Sequence, residues 1–72
     1  MVSILVIIEK GPSSYGAYAP DIPGVVAVAA TREEVERLMH EALQFYLEDI
    51  QEEHLPLPEA HSDAGYMNVA IP

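Results

Sequence analysis

The spacing of apolar residues changes period twice along this chain of 72 residues. Residues 2–9 form a run rich in Val and Ile, which predicts a strand. Lys10-Gly11-Pro12-Ser13-Ser14 reads as a hairpin loop into a second strand over residues 15–19. Pro20 has no backbone donor and ends that strand. Pro23 and Gly24 fit the central positions of a type II turn, where glycine takes a positive φ without steric cost. A third short strand follows over residues 25–30. From Thr31 the period becomes helical. Val35, Leu38, Met39, Ala42, Leu43, Tyr46 and Ile50 keep the i, i+3, i+4, i+7 spacing of one apolar stripe. Thr31 suits an N-cap, Glu34 three residues on completes a capping box, and Glu33 with Glu34 meets the positive end of the helix dipole. The helix is expected to end near Glu53, before Leu55-Pro56-Leu57-Pro58, whose prolines favour an extended connector. A polar loop over residues 59–65 leads to a last strand over residues 66–71.

The predicted order is β-β-β-α-β, one domain over residues 1–72. Short connections make the first three strands an antiparallel meander. The helix then crosses one sheet face and delivers the fourth strand parallel to the first, by a right-handed crossover. This is an α+β two-layer sandwich with one long helix on one face. In the first strand Val2, Ile4, Val6 and Ile8 point one way, Leu5 and Ile7 the other. Met67, Val69 and Ile71 of the last strand likewise oppose Tyr66 and Ala70. One helix cannot cover two apolar sheet faces, and the uncharged third strand is expected at a sheet edge. Both features predict a homodimer or a higher even oligomer, joined through the open face or the edge.

Charge narrows the function. Twelve Asp and Glu against three Lys and Arg give a formal net charge of −9. Nucleic-acid affinity rests on Lys and Arg at phosphates, and Lys10, Arg32 and Arg37 are too few and too scattered, so no direct nucleic-acid binding is expected. The same balance suits a basic protein partner. It also serves plain solubility. Without cysteine there is neither a disulfide nor a thiolate metal site, which fits a reducing cytoplasm. The apolar run over residues 2–8 is too short to span a membrane or to act as a secretory signal.

Candidate chemistry is sparse. His40, His54 and His61 have no i, i+4 partner of the helical zinc-site kind. Most carboxylates lie on one helix rather than converging from several elements, and Ser13 and Ser14 have no predicted histidine partner. No metal or cofactor is expected. What stands out is an acidic ridge, Glu41, Glu48, Asp49, Glu52 and Glu53, along the helix. Its last two members oppose the dipole at the C-terminal end, by ~0.3–1 kcal/mol. This ridge is the candidate partner surface, whereas Pro20, Asp21, Pro23, Gly24, Thr31 and Glu34 are read as turn and cap residues.

The string Tyr15-Gly16-Ala17-Tyr18-Ala19-Pro20-Asp21-Ile22-Pro23-Gly24, preceded by Glu9-Lys10, resembles the N-terminal domain of the HicB antitoxin family. Thr31-Arg32-Glu33-Glu34, Leu47-Glu48-Asp49 and Leu57-Pro58-Glu59 continue the likeness, which runs from about Ile4 to Ile71. The resemblance implies a degraded ribonuclease H-like fold without nuclease activity. It further implies an antitoxin that binds and blocks a basic HicA-type toxin, an enzyme that cleaves messenger RNA. Family members commonly add a C-terminal DNA-binding module. This sequence stops at Pro72, so a stand-alone form without that module is expected. Two rival readings are a small metal-dependent nuclease using carboxylates such as Glu9 and Asp21, and an orphan oligomeric scaffold with no toxin partner.

Overall fold

A computed structural model describes residues 1–72. Three strands, β1 (Ile7–Lys10), β2 (Tyr15–Tyr18) and β3 (Val26–Ala29), precede one helix, α1 (Arg32–Glu52). The sheet has the order β1-β2-β3 and both strand pairs are antiparallel, so the expected meander forms. Its register places Ile8, Ala17 and Ala27 side by side on the face beneath the helix, and Ile7, Tyr18 and Val26 on the opposite face. The small side chains of β2 and β3 let α1 approach closely. Ala17, Ala19 and Ile22 pack with Val35, Met39 and Leu43 in one buried cluster, with Ile4, Val6, Ile8, Tyr15 and Tyr46 around it. Tyr18, Val26 and Val28 stay exposed on the open face, as the two-sided apolar pattern of the strands required.

The connection between β2 and β3 is two turns in series, each led by proline. Ile22 N–H donates to the Ala19 carbonyl at 3.0 Å, closing the turn around Pro20-Asp21, and Val25 N–H donates to the Ile22 carbonyl at 3.5 Å, closing the turn around Pro23-Gly24. Gly24 has φ 91°, the value that a type II turn demands at this position. A Cβ there would touch nothing within 4 Å, so glycine is needed for its torsion rather than for space. Between the two turns Ile22 is pushed into the core, 2% exposed.

The helix starts as its residues predict. Thr31 is extended, at φ −127° and ψ 159°, and its Oγ1 accepts the Glu34 N–H at 3.1 Å. A cap of this kind contributes about 1 kcal/mol. The reciprocal half of the capping box is not made, because the Glu34 carboxylate turns to Arg37, 2.7 Å away. The opposite end closes by a Schellman motif. Leu55 N–H reaches the Ile50 carbonyl at 2.9 Å, His54 N–H reaches the Gln51 carbonyl at 3.1 Å, and His54 takes φ 58°. Glycine is the usual residue at this left-handed position, and a side chain there costs of order 1 kcal/mol. His54→Gly is therefore expected to stabilise the protein by about 0.5–1 kcal/mol. Chemical denaturation would show a raised midpoint at unchanged slope, and an unchanged midpoint would contradict the strain argument.

Two expectations are corrected. Regular pairing of the first strand begins at Ile7, not at Val2. No fourth strand is formed: residues 66–71 pair with nothing, and Tyr66, Met67, Val69 and Ile71 are each at least 81% exposed. The segment has a strand's alternation but no neighbouring backbone, and a strand exists only through its partner. Ser62, just ahead of it, is held by Asp21 at the β2–β3 turn, and β2 and β1 lie between that turn and the free edge of β1.

Candidate functional site

The two flanks of α1 differ in character. Arg32 bonds Glu36 at 3.2 Å, and Arg37 bonds both Glu34 at 2.7 Å and Glu41 at 2.9 Å. These two carboxylates hold the Arg37 guanidinium above its ordinary pKa, hydrogen bonding to Glu34 first and the charge of Glu41 next. Pairs this exposed add little stability, but they decide where charge is left over. Both arginines of the chain are committed to the first half of the helix. Beyond Glu41 the helix carries Glu48, Asp49, Glu52 and, at the cap, Glu53, and its last turn has no basic residue. Glu48 accepts only a neutral donor, Gln44 Nε2 at 3.2 Å. The predicted acidic ridge is thus present and exposed, with unopposed charge at Glu48, Asp49, Glu52 and Glu53, while Glu41 shares Arg37 with Glu34.

Phe45 stands among these carboxylates. It is 73% exposed and sits one helical turn from Glu41 on one side and from Asp49 on the other. The groove beside it runs between α1 and the unpaired edge of β3, where Val25, Val26, Leu38, Ala42 and Tyr46 supply apolar walls. The apolar stripe read from the sequence omitted Phe45. The available signal was its i, i+4 place between two acidic residues, which excludes it from the core face. An exposed aromatic residue ringed by like charge is a surface suited to a cationic, partly apolar partner.

Of the predicted turn and cap residues only Gly24 lines this groove. Pro20, Asp21, Pro23 and Gly24 occupy the β2–β3 turns, at the other end of the sheet from Thr31 and Glu34. Asp21 has a further contact that was not foreseen. Its Oδ2 accepts the Ser62 N–H at 3.3 Å, the one side-chain hydrogen bond joining residues more than four apart in sequence. The Ser62 hydroxyl, above all other groups, holds the Asp21 carboxyl below its ordinary value of 3.8. Desolvation opposes this, and the Ser62 and His61 N–H groups and the His61 ring add to it. A depressed folded pKa means that the contact adds stability above the ordinary value and loses it as pH falls through the lower, folded one. The clamp is therefore closed at neutral pH. In an NMR titration the Ser62 amide should move with a midpoint below 3.8 and should not titrate in this way in Asp21→Asn. A midpoint at or above the ordinary value would disprove the clamp.

No group of three or more His, Cys, Asp or Glu side chains is placed to hold a metal ion. No helix is long and apolar enough to cross a membrane. Fold and surface together define an acidic α+β protein: a three-stranded meander under one amphipathic helix whose outer half is negatively charged. The sequence matches the family model described as HicB-like antitoxin of bacterial toxin-antitoxin systems over residues 4–70, and the chain belongs to that family. No curated protein and no solved structure matches it.

Proposed function

We propose that this protein is a non-enzymatic antitoxin that binds a basic HicA-type toxin in the cytoplasm and blocks it by covering its RNA-binding face. Family membership over residues 4–70 carries this reading. The unopposed carboxylates Glu48, Asp49, Glu52 and Glu53 around Phe45 support it, because they mimic the charge of the RNA that such a toxin binds. The long-range field of a chain at −9 raises the encounter rate with a cationic partner. Phe45 and the groove beside it supply the apolar contact that charge alone lacks. The antitoxin itself makes no contact with RNA.

The test is co-expression with a small basic HicA-type toxin. A stoichiometric complex is expected at low salt, weakened as ionic strength rises, together with loss of the toxin's RNA cleavage. Failure to co-elute at low salt would overturn the reading. So would magnesium- or manganese-dependent cleavage of RNA by the antitoxin alone, abolished in a Glu9→Ala, Asp21→Ala double variant.

A further inference from the structure

The unpaired segment over residues 66–71 and the free side of β1 are complementary surfaces on the same chain. The segment alternates Met67, Val69 and Ile71 against Tyr66, Asn68 and Ala70, and its large apolar side chains lie in solvent. Isolated apolar side chains on a surface are ordinary, but four within six residues on an extended arm are not. The arm also accounts for part of an elongated shape, 52 × 28 × 19 Å, on a body whose helix has 21 residues, about 32 Å of length.

The receptor is equally specific. β1 is a sheet edge with no strand beyond it. Next to it lies a groove of about 660 Å³, with Ile4, Val6 and Ile8 on the strand side and Met39, Leu43 and Leu47 on the helix side. It opens on the flank of α1 opposite to Phe45, so filling it leaves the acidic surface free.

We propose that residues 66–71 of one copy add as a fourth strand to the free edge of β1 in a second copy, laying Met67, Val69 and Ile71 into its groove, with the exchange made reciprocally. Backbone pairing supplies the strand and alternate side chains fill the groove. Each copy offers one arm and one groove, so the exchange closes as a two-fold dimer with both arms and both grooves filled.

The same tether that holds Ser62 selects the second copy over the chain's own groove. From Ser62 to Tyr66 the chain spans at most ~13–14 Å. The path from the β2–β3 turn past β2 and β1 to the outer edge of β1 needs ~12 Å across the sheet, at 4.7–4.9 Å per strand. While Asp21 holds Ser62, the chain's own groove is reached only with the connector almost fully stretched. A second copy can instead bring its edge to the arm. This proposal stands apart from the antitoxin reading, since it needs no toxin.

Light scattering on the eluting full chain tests it. The expected mass is twice 7.9 kDa. A Val69→Asp, Ile71→Asp variant should elute at the single-chain mass with unchanged helical circular dichroism, because the arm makes no part of the buried core. The chain has no cysteine, so Val6→Cys and Val69→Cys chains can be prepared separately, mixed and oxidised. A disulfide joining the two different chains is expected. In the Val6→Cys, Val69→Cys double variant a cross-link confined within one chain would overturn the proposal. Single-chain mass for the unsubstituted protein, or a dimer that survives the two aspartates, would overturn it equally. Both measurements are made without toxin, so they stand or fall independently of the co-expression result.

Discussion

Met39→Ala is expected to remove most of the protein's stability. Met39 is 1% exposed and lies between Val35 and Leu43 against Ala17, Ala19 and Ile22. Truncation there loses transfer free energy and leaves a cavity, about 2–5 kcal/mol in all. A core this small rarely supplies more than ~3–5 kcal/mol in total, so the variant should be largely unfolded or sharply shifted. Urea denaturation followed by circular dichroism would show the midpoint falling, with the slope kept if a folded fraction remains. The effect should not depend on toxin or salt. A wild-type midpoint would show that the six-residue cluster is not what holds the helix on the sheet.

Phe45→Ala is the converse experiment, neutral for the fold and costly for binding. Phe45 is exposed, so stability should stay within about 0.5 kcal/mol. If the antitoxin reading is right, an aromatic anchor ringed by charge is worth about 2 kcal/mol of affinity, which is a roughly 30-fold weaker Kd. Glu48→Gln, Asp49→Asn and Glu52→Gln together should chiefly slow association and flatten its dependence on salt. They should also raise Tm, because carboxylates in the last turns oppose the helix dipole. Lower affinity with higher stability is the signature of charge kept for a partner. Titration calorimetry and thermal melts on the same samples separate the two quantities. If Tm rose and affinity did not change, the ridge would be no more than a solvated face.

How much of this was legible in the sequence differs by element. The helix was read almost to the residue, because Thr31 provides a side-chain acceptor for an orphan amide and Pro56 forbids continuation. The two turns were legible because proline and glycine each admit few torsions. The meander followed from loop length alone. The fourth strand was misread, since alternation records a pattern that wants a partner and not which molecule provides it. His54 gave no warning of its left-handed backbone, as its role depends on the amides of the turn before it rather than on its own chemistry. At the candidate surface the carboxylates were visible as a run. What the reading missed was that Arg37 would bridge Glu34 and Glu41, and that Phe45 would be left outside the core. Both are decided by angular position around the helix, which composition does not contain.

The bond between Asp21 and Ser62 has a consequence for the order of events. β1 pairs with β2, β2 with β3, and α1 returns over the strands just made, so most of the body can assemble from neighbours in sequence, as fast-folding chains do. The Asp21–Ser62 contact spans 41 residues and secures a segment with little buried surface behind it. It should close after the body is complete and open well before the body melts. Residues 66–71 lie exposed and unpaired even with this contact closed, so two finished bodies can trade arms without either having to unfold.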